Sequence, residues 1–150
     1  NPKVLFVGSE VYVNGVAKVL KKILEHDIKN IRLCGMNFVY LLNILNQNSI
    51  DELKIINPDP WHKKRHFKRR LVNIENIMKI TGIVKNKYAT YITTDSESYF
   101  NYINEIFSSN SKIIHENKSK ILSKNDRLYG VSRYQRKAIK NGKKIYQLTF

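Results

Sequence analysis

Asn57-Pro58-Asp59-Pro60-Trp61-His62-Lys63-Lys64-Arg65-His66-Phe67-Lys68-Arg69-Arg70-Leu71 follows directly on the short apolar run Leu53–Ile56. The run reads as a buried strand, and Asn57-Pro58-Asp59-Pro60 ends it in a rigid loop. Proline fixes φ and removes a backbone donor. Two prolines one residue apart therefore hold Asp59 in a narrow conformational range. Trp61 adds a large aromatic surface. Six Lys/Arg and two His then fall within nine residues, 62–70. A constrained carboxylate at a strand end, an aromatic plate and a dense cation patch together suggest chemistry on a nucleic-acid base.

The rest of the chain alternates strand and helix. Val4–Val7 predicts a buried strand ending at Gly8-Ser9-Glu10. Val16, Ala17, Leu20, Ile23 and Leu24 predict a helix over 14–26. Ile31–Cys34 is the next strand, and Phe38, Leu41, Leu42 and Leu45 mark a helix over 37–47. Leu71, Ile74, Ile77, Met78 and Ile80 mark another after the basic run. Ala89–Thr93 is a strand ending at Thr94-Asp95, and Tyr99, Tyr102, Ile103 and Phe107 place a helix over 97–108. Ile113-Ile114 and Lys144–Thr149 are the late strands. Between them, Lys118–Asn141 is polar and basic and reads as a mobile loop. Such an order gives one α/β domain over residues 1–150 with a mainly parallel sheet. Ligands of such sheets bind at the carboxyl ends of the strands, where Glu10, Asn37, Asp59 and Asp95 fall.

The bulk composition narrows the class of partner. The 150 residues carry 27 Lys/Arg against 12 Asp/Glu, a net charge of +15, and 42% are hydrophobic. A charge of that size points to a polyanion. An anionic membrane surface ranks below nucleic acid, because the basic residues do not share one long amphipathic helix. The single cysteine, Cys34, excludes an internal disulfide and a Cys-based zinc site, reads as a small core residue and fits a reducing cytoplasm. No apolar run approaches the roughly 18 residues of a membrane span, and no signal peptide is visible. The chain opens at Asn1-Pro2 and enters its first apolar run at once, so part of the fold is expected upstream.

Each candidate residue has a functional and a bland reading. Glu10 accepts from ribose hydroxyls or caps a helix. Asn37 meets an adenine edge or serves as the N-cap of the helix that follows. Asp59 accepts from a guanine edge or positions a reactive group; its alternative is an Asx-turn residue. Lys63, Lys64, Arg65, Lys68, Arg69 and Arg70 neutralise phosphates or form a solvated face; six neutralised phosphates predict a log K against log salt slope of roughly −4 to −5. His62 and His66 lack a completing carboxylate or cysteine, so no metal is expected. Asp95 recognises a base or caps a helix with Thr94. Ser132-Arg133-Tyr134-Gln135 clamps a base or is an ordinary loop.

Pro58-Asp59-Pro60-Trp61, Lys63, Arg65-His66 and Lys68-Arg69-Arg70-Leu71 resemble the signature of the bacterial tRNA (guanine-N7)-methyltransferase family. The resemblance extends to Val7-Gly8-Ser9-Glu10 with Gly15-Val16-Ala17, to Asn30-Ile31-Arg32-Leu33 and Asn37, to Thr94-Asp95 with Tyr99, to Ser132–Gln135, and to Gly142 with Ile145–Leu148. It implies a class I S-adenosylmethionine (SAM)-dependent methyltransferase. That fold is Rossmann-like, with a mainly parallel sheet and an antiparallel C-terminal strand; its N-terminal strand, helix and Gly-rich loop are missing here. The chain is then an N-terminally incomplete domain or the C-terminal part of a longer polypeptide. The implied reaction moves the SAM methyl to N7 of a variable-loop guanine in tRNA, in the cytoplasm. Glu10, Asn37 and Asp59 are the implied SAM contacts, and Asp59 is also at the catalytic position. Lys63, Asp95, Ser132, Arg133, Tyr134 and Gln135 would meet the target nucleotide, and Lys64, Arg65, Lys68, Arg69 and Arg70 the RNA backbone. Asn57 stands where the family has Phe, Asn37 where it has Asp, and Gln135 where it has Glu. The alternative from another class is a tRNA-binding fragment without catalysis. An amino-group methyltransferase is a third reading, which Asp59 argues against because it separates the two prolines.

Overall fold

The structure is a computed structural model describing residues 3–86, 89–110 and 117–150. The chain divides into two compact units, Asn1–Leu45 and Asn46–Phe150.

The first unit is a β-α-β-α arrangement: β1 (Phe6–Ser9), α1 (Val13–Glu25), β2 (Ile31–Cys34) and α2 (Phe38–Ile44). Strands β1 and β2 are parallel, with Phe6 opposite Ile31 and Ser9 opposite Cys34. Gly8 sits opposite Leu33, where a Cβ would come within 2.9 Å of the leucine Cδ2. The strand predicted at Val4–Val7 exists but starts two residues later, and it is not buried: Leu5 is 62% and Val7 59% exposed. None of the α1 residues is buried either. Among the described residues of this unit, β1 has β2 as its paired strand.

The second unit holds β3 (Leu53–Ile56), a 3₁₀ turn over Lys64–Arg69, α3 (Ile74–Ile83), β4 (Thr90–Thr94), α4 (Glu97–Ser109), β5 (Lys118–Ile121), α5 (Arg133–Lys140) and β6 (Tyr146–Thr149). Its sheet runs in the order β3-β4-β6-β5. The β3–β4 pair is parallel, and β6 is antiparallel to both β4 and β5. Among the described residues each unit has its own paired strands, and the expected antiparallel late strand is present. Period-two alternation builds the core. Ile55, Ile92 and Leu148 align across three strands. All are buried, as are Ile77 and Ile80 of α3 and Tyr99, Ile103 and Phe107 of α4. Each such side chain contributes about 1.5–3 kcal/mol by leaving water.

Lys118–Asn141 corrects the reading of a mobile loop. It contains β5 and α5, and its few apolar residues are placed where they count. Leu122, Leu128, Ala138 and Ile145 form a buried cluster, flanked by Ile56, Tyr91, Tyr129 and Ile139. Polar ties complete it. Arg127 makes a bidentate pair with Glu52, at 3.1 Å for both bonds, and Lys54 joins the same carboxylate. Burial pushes the Glu52 carboxyl up, but these two cations outweigh it and hold it below its ordinary value. Asp126 accepts from Lys120 and from the Ser123 backbone, which pulls its carboxyl down to about 2. The contribution of that carboxylate is present above the ordinary aspartate range and lost only as pH falls towards 2. Ile113-Ile114, read as a strand, lies outside the described residues. Among the described residues, no helix is long and apolar enough to cross a membrane.

Candidate active site

In the first unit the ends of the parallel strands carry Glu10 and Asn37. The Glu10 backbone N–H donates to the Cys34 carbonyl at 3.1 Å, extending the ladder by one bond. Ser9 Oγ donates to the Met36 carbonyl at 2.7 Å, which ties the two strand ends together. Glu10 Oε1 accepts from the Tyr12 N–H at 2.8 Å. A carboxylate has two oxygens and about four lone-pair sites, so it can accept a ligand hydroxyl besides. Gly15, in the first turn of α1, leaves room for it, since a Cβ there would meet Glu10 Cγ at 3.3 Å. Asn37 is the N-cap of α2, its Oδ1 accepting from Val39 N–H at 3.0 Å. The local role is thus real, and the amide Nδ2 still offers two donors.

In the second unit the Pro-Asp-Pro-Trp turn leaves the carboxyl end of β3. Asn57 N–H donates to the Thr93 carbonyl at 2.9 Å, so the ladder ends one residue past the strand. Asn57 and Trp61 then adopt left-handed conformations, with φ of 48° and 45°. A left-handed side chain costs about 1–2 kcal/mol, and such strain gathers at functional sites. Contacts hold both residues there. Asp59 Oδ1 accepts from Trp61 N–H at 3.0 Å, an Asx turn with an exposed carboxylate. The Trp61 ring meets the edge of His66 at 5.6 Å and lies 5.1 Å from the Arg69 guanidinium. His66 is therefore a packing partner of Trp61.

Asn57 also organises the neighbouring strand end. Its Nδ2 donates to Asp95 Oδ1 at 2.9 Å, and Lys143 Nζ lies 3.6 Å from Asp95 Oδ2. Thr93 Oγ1 lies 3.4 Å from Asn57 Oδ1 and accepts from Gln135 Nε2 at 3.0 Å. Gln135 Oε1 accepts from Val131 N–H at 3.2 Å. This network joins the ends of β3 and β4 to the start of α5. It was not legible in advance, although a polar Asn57 at an apolar strand's end was a signal. Asn57→Ala should cost about 1 kcal/mol for the lost hydrogen bond, since both side chains carry a Cβ. Asn57→Gly loses the same bond but relieves the left-handed Cβ, so it should melt above the alanine variant. The comparison is a pair of thermal melts, and equal melting points would show that the φ of 48° stores no strain.

Lys63, Lys64, Arg65, Lys68 and Arg69 are exposed, but Arg70 is only 3% exposed. A guanidinium at that depth is not available to RNA phosphates, which corrects the expectation for Arg70. Its Nε donates to the Pro60 carbonyl at 2.9 Å, and its Cζ lies 3.6 Å from the Phe67 ring centre, 4.3 Å from Tyr102 and 5.0 Å from Tyr99. Among the described residues, Arg70 Nη1 is buried without a hydrogen-bond partner. Leaving a buried donor unpaired costs about 1–3 kcal/mol. Tyr99 Oη accepts from Val72 N–H at 3.2 Å, and burial pushes this phenol up to about 12, so it stays neutral at working pH. Gln135 is likewise corrected. It is 0% exposed and committed to Thr93 and Val131, so it does not meet a nucleotide directly. Ser132 is the N-cap of α5, bonding Gln135 N–H at 3.1 Å. Arg133 and Tyr134 beside it are exposed, Tyr134 by 71%.

Comparison with known proteins places this arrangement. The family described as "Putative methyltransferase" matches residues 1–148. A bifunctional methyltransferase of Rickettsia felis is 39% identical over 140 residues, covering 93% of this chain and 26% of the relative. A tRNA (guanine-N(7)-)-methyltransferase of Legionella pneumophila (strain Corby) is 30% identical over 151 residues, covering 100% of this chain and 67% of the relative. The chain thus spans about a quarter of the length of the bifunctional relatives. A SAM-dependent methyltransferase from Archaeoglobus fulgidus aligns with 99% of this chain and 86% of its own, at 12% identity and a TM-score of 0.45. The family match, the strand–helix alternation and the antiparallel last strand together make the fold that of a class I methyltransferase. The chain belongs to the bacterial tRNA (guanine-N7)-methyltransferase family.

Proposed function

We propose that this chain carries out the transfer of a methyl group from SAM to N7 of a variable-loop guanine in tRNA. The observation that carries the reading is the Pro-Asp-Pro-Trp turn. An exposed carboxylate stands at a strand's carboxyl end, between two left-handed residues, beside a run of exposed cations. The names of the Legionella relatives support the same chemistry.

The residues suit SAM. At the strand ends of the first unit, Glu10, with the space left by Gly15, would take the ribose hydroxyls, and the Asn37 amide would donate to the adenine edge. When bound, SAM supplies an electrophilic methyl on a sulfonium. Guanine N7 already has a free lone pair, so no base is required, and the work left to the chain is positioning. The Asp59 carboxylate can accept from the guanine N1–H and exocyclic amine. Asp95, held by Asn57, offers a second acceptor at the end of the paired strand β4. Lys63, Arg133 and Tyr134 are exposed and able to meet the target nucleotide.

The test is nucleoside mass spectrometry of unmodified tRNA incubated with SAM and the chain, alone and extended upstream. N7-methylguanosine is the expected product. Tight tRNA binding with no product from either form would overturn catalysis in favour of a binding module.

A further inference from the structure

We infer that Arg70 is a positioning residue, a buried clamp that fixes the carboxylate of Asp59 by gripping the peptide between Pro60 and Trp61. This rests on the reaction proposed above for that carboxylate. The geometry is specific. The Pro60 carbonyl accepts from Arg70 Nε at 2.9 Å, and the Trp61 N–H donates to Asp59 Oδ1 at 3.0 Å. Those two groups are the opposite edges of one peptide plane. A peptide is rigid, so fixing the direction of its C=O fixes that of its N–H. Arg70 therefore sets where the Asp59 acceptor finds its donor, although the two side chains grip different atoms.

The guanidinium is in turn held flat. Phe67 lies 3.6 Å from it on the 3₁₀ turn, and Tyr102 and Tyr99 lie at 4.3 and 5.0 Å on α4. Tyr99 and Tyr102 are themselves stacked, with centroids 6.0 Å apart. The clamp thus ties the strained turn to a core helix. Only a planar cation can stack on aromatic faces while its edge donates to a carbonyl; an ammonium on a flexible stem cannot. The unpaired Nη1 fits this role. Arg70 sits there for its shape and its one bond to Pro60, since a site that needed only charge would leave it in water like its five neighbours.

Trp61 is the only tryptophan of the chain and reports on that peptide directly. The experiment compares Arg70→Lys and Arg70→Met with the parent. Acrylamide is the quencher, because a neutral probe ignores the change in charge. Both variants should keep the parent far-UV circular dichroism, while the Trp61 quenching constant rises about two-fold or more. For methyl transfer, kcat should fall by roughly 10–100-fold, as expected for an ångström-scale misplacement. KM for tRNA and its salt slope should stay within about two-fold of the parent, and lysine should not rescue. Unchanged quenching and kcat in folded variants would overturn the proposal. So would a raised KM with a salt slope flatter by about one, which marks a phosphate contact, or global unfolding of both variants, which marks a core strut. Quenching needs no methyl transfer. A parent that makes no N7-methylguanosine, with Trp61 loosened in both variants, would therefore refute the reaction and support the clamp.

Discussion

Asp59→Ala should lower methyl transfer by about 10²–10³-fold or more while leaving tRNA affinity within about two-fold. The carboxylate has two jobs. It accepts from Trp61 N–H and so stabilises a left-handed tryptophan. Its charge also stands exposed at the end of β3, where a bound nucleotide base can donate to it. Alanine removes both. Asp59→Asn separates them, because an amide oxygen keeps the Asx turn but not the charge. Asparagine should retain the parent Trp61 fluorescence and still lose most of the transfer rate. If asparagine restores the rate, the turn alone matters and the charge does no chemistry. A near-normal rate in the alanine variant would remove Asp59 from the mechanism altogether. The affinity control is a binding titration with unmodified tRNA, which reads the cation run and is insensitive to a single loop carboxylate.

Where the chain repeats a local rule, the sequence already contained the answer. Ile31–Cys34 and Leu53–Ile56 are short, mainly apolar runs, and both strands have those bounds in the structure. The helix read over 97–108 is α4, because Tyr99, Tyr102, Ile103 and Phe107 repeat at the helical period. The turn at Pro-Asp-Pro-Trp was legible for the same reason: proline acts locally. What failed was tertiary. Val4–Val7 is apolar enough to be buried, but burial needs partners, and among the described residues of its unit β1 has one paired strand, β2. Lys118–Asn141 is polar enough to be a loop, yet it is ordered by pairing of β5 with β6, by the Glu52–Arg127 bridge and by the burial of Leu122, Leu128 and Ala138 against Ile145. Each of those bonds joins residues distant in sequence. Arg70 and Gln135 were misread because residue type predicts solvent for both. The aromatic plates and the Thr93 hydroxyl that bury them come from elsewhere in the chain.

The corrected count of cations changes what salt should do. With Arg70 buried, Lys63, Lys64, Arg65, Lys68 and Arg69 remain exposed in the run. Five neutralised phosphates give a slope of log K against log salt of roughly −3.5 to −4.5, against −4 to −5 for six. Arg69 also packs over Trp61, so reversing it would disturb the turn as well as the charge. The cleaner variant combines Lys64→Glu, Arg65→Glu and Lys68→Glu. It should weaken tRNA binding by roughly 10–100-fold at low salt and flatten the slope by roughly 2 to 3, for three lost phosphate contacts. The loss should be uniform across tRNA sequences, because phosphate contacts position the nucleic acid and base contacts specify it. It should appear in KM, with Trp61 quenching unchanged, since none of the three side chains grips the Pro60–Trp61 peptide. Filter-binding titrations across salt concentrations decide the matter. An unchanged affinity and slope would make the run a solvated face, and the net charge of +15 would then have to act through cations elsewhere on the chain.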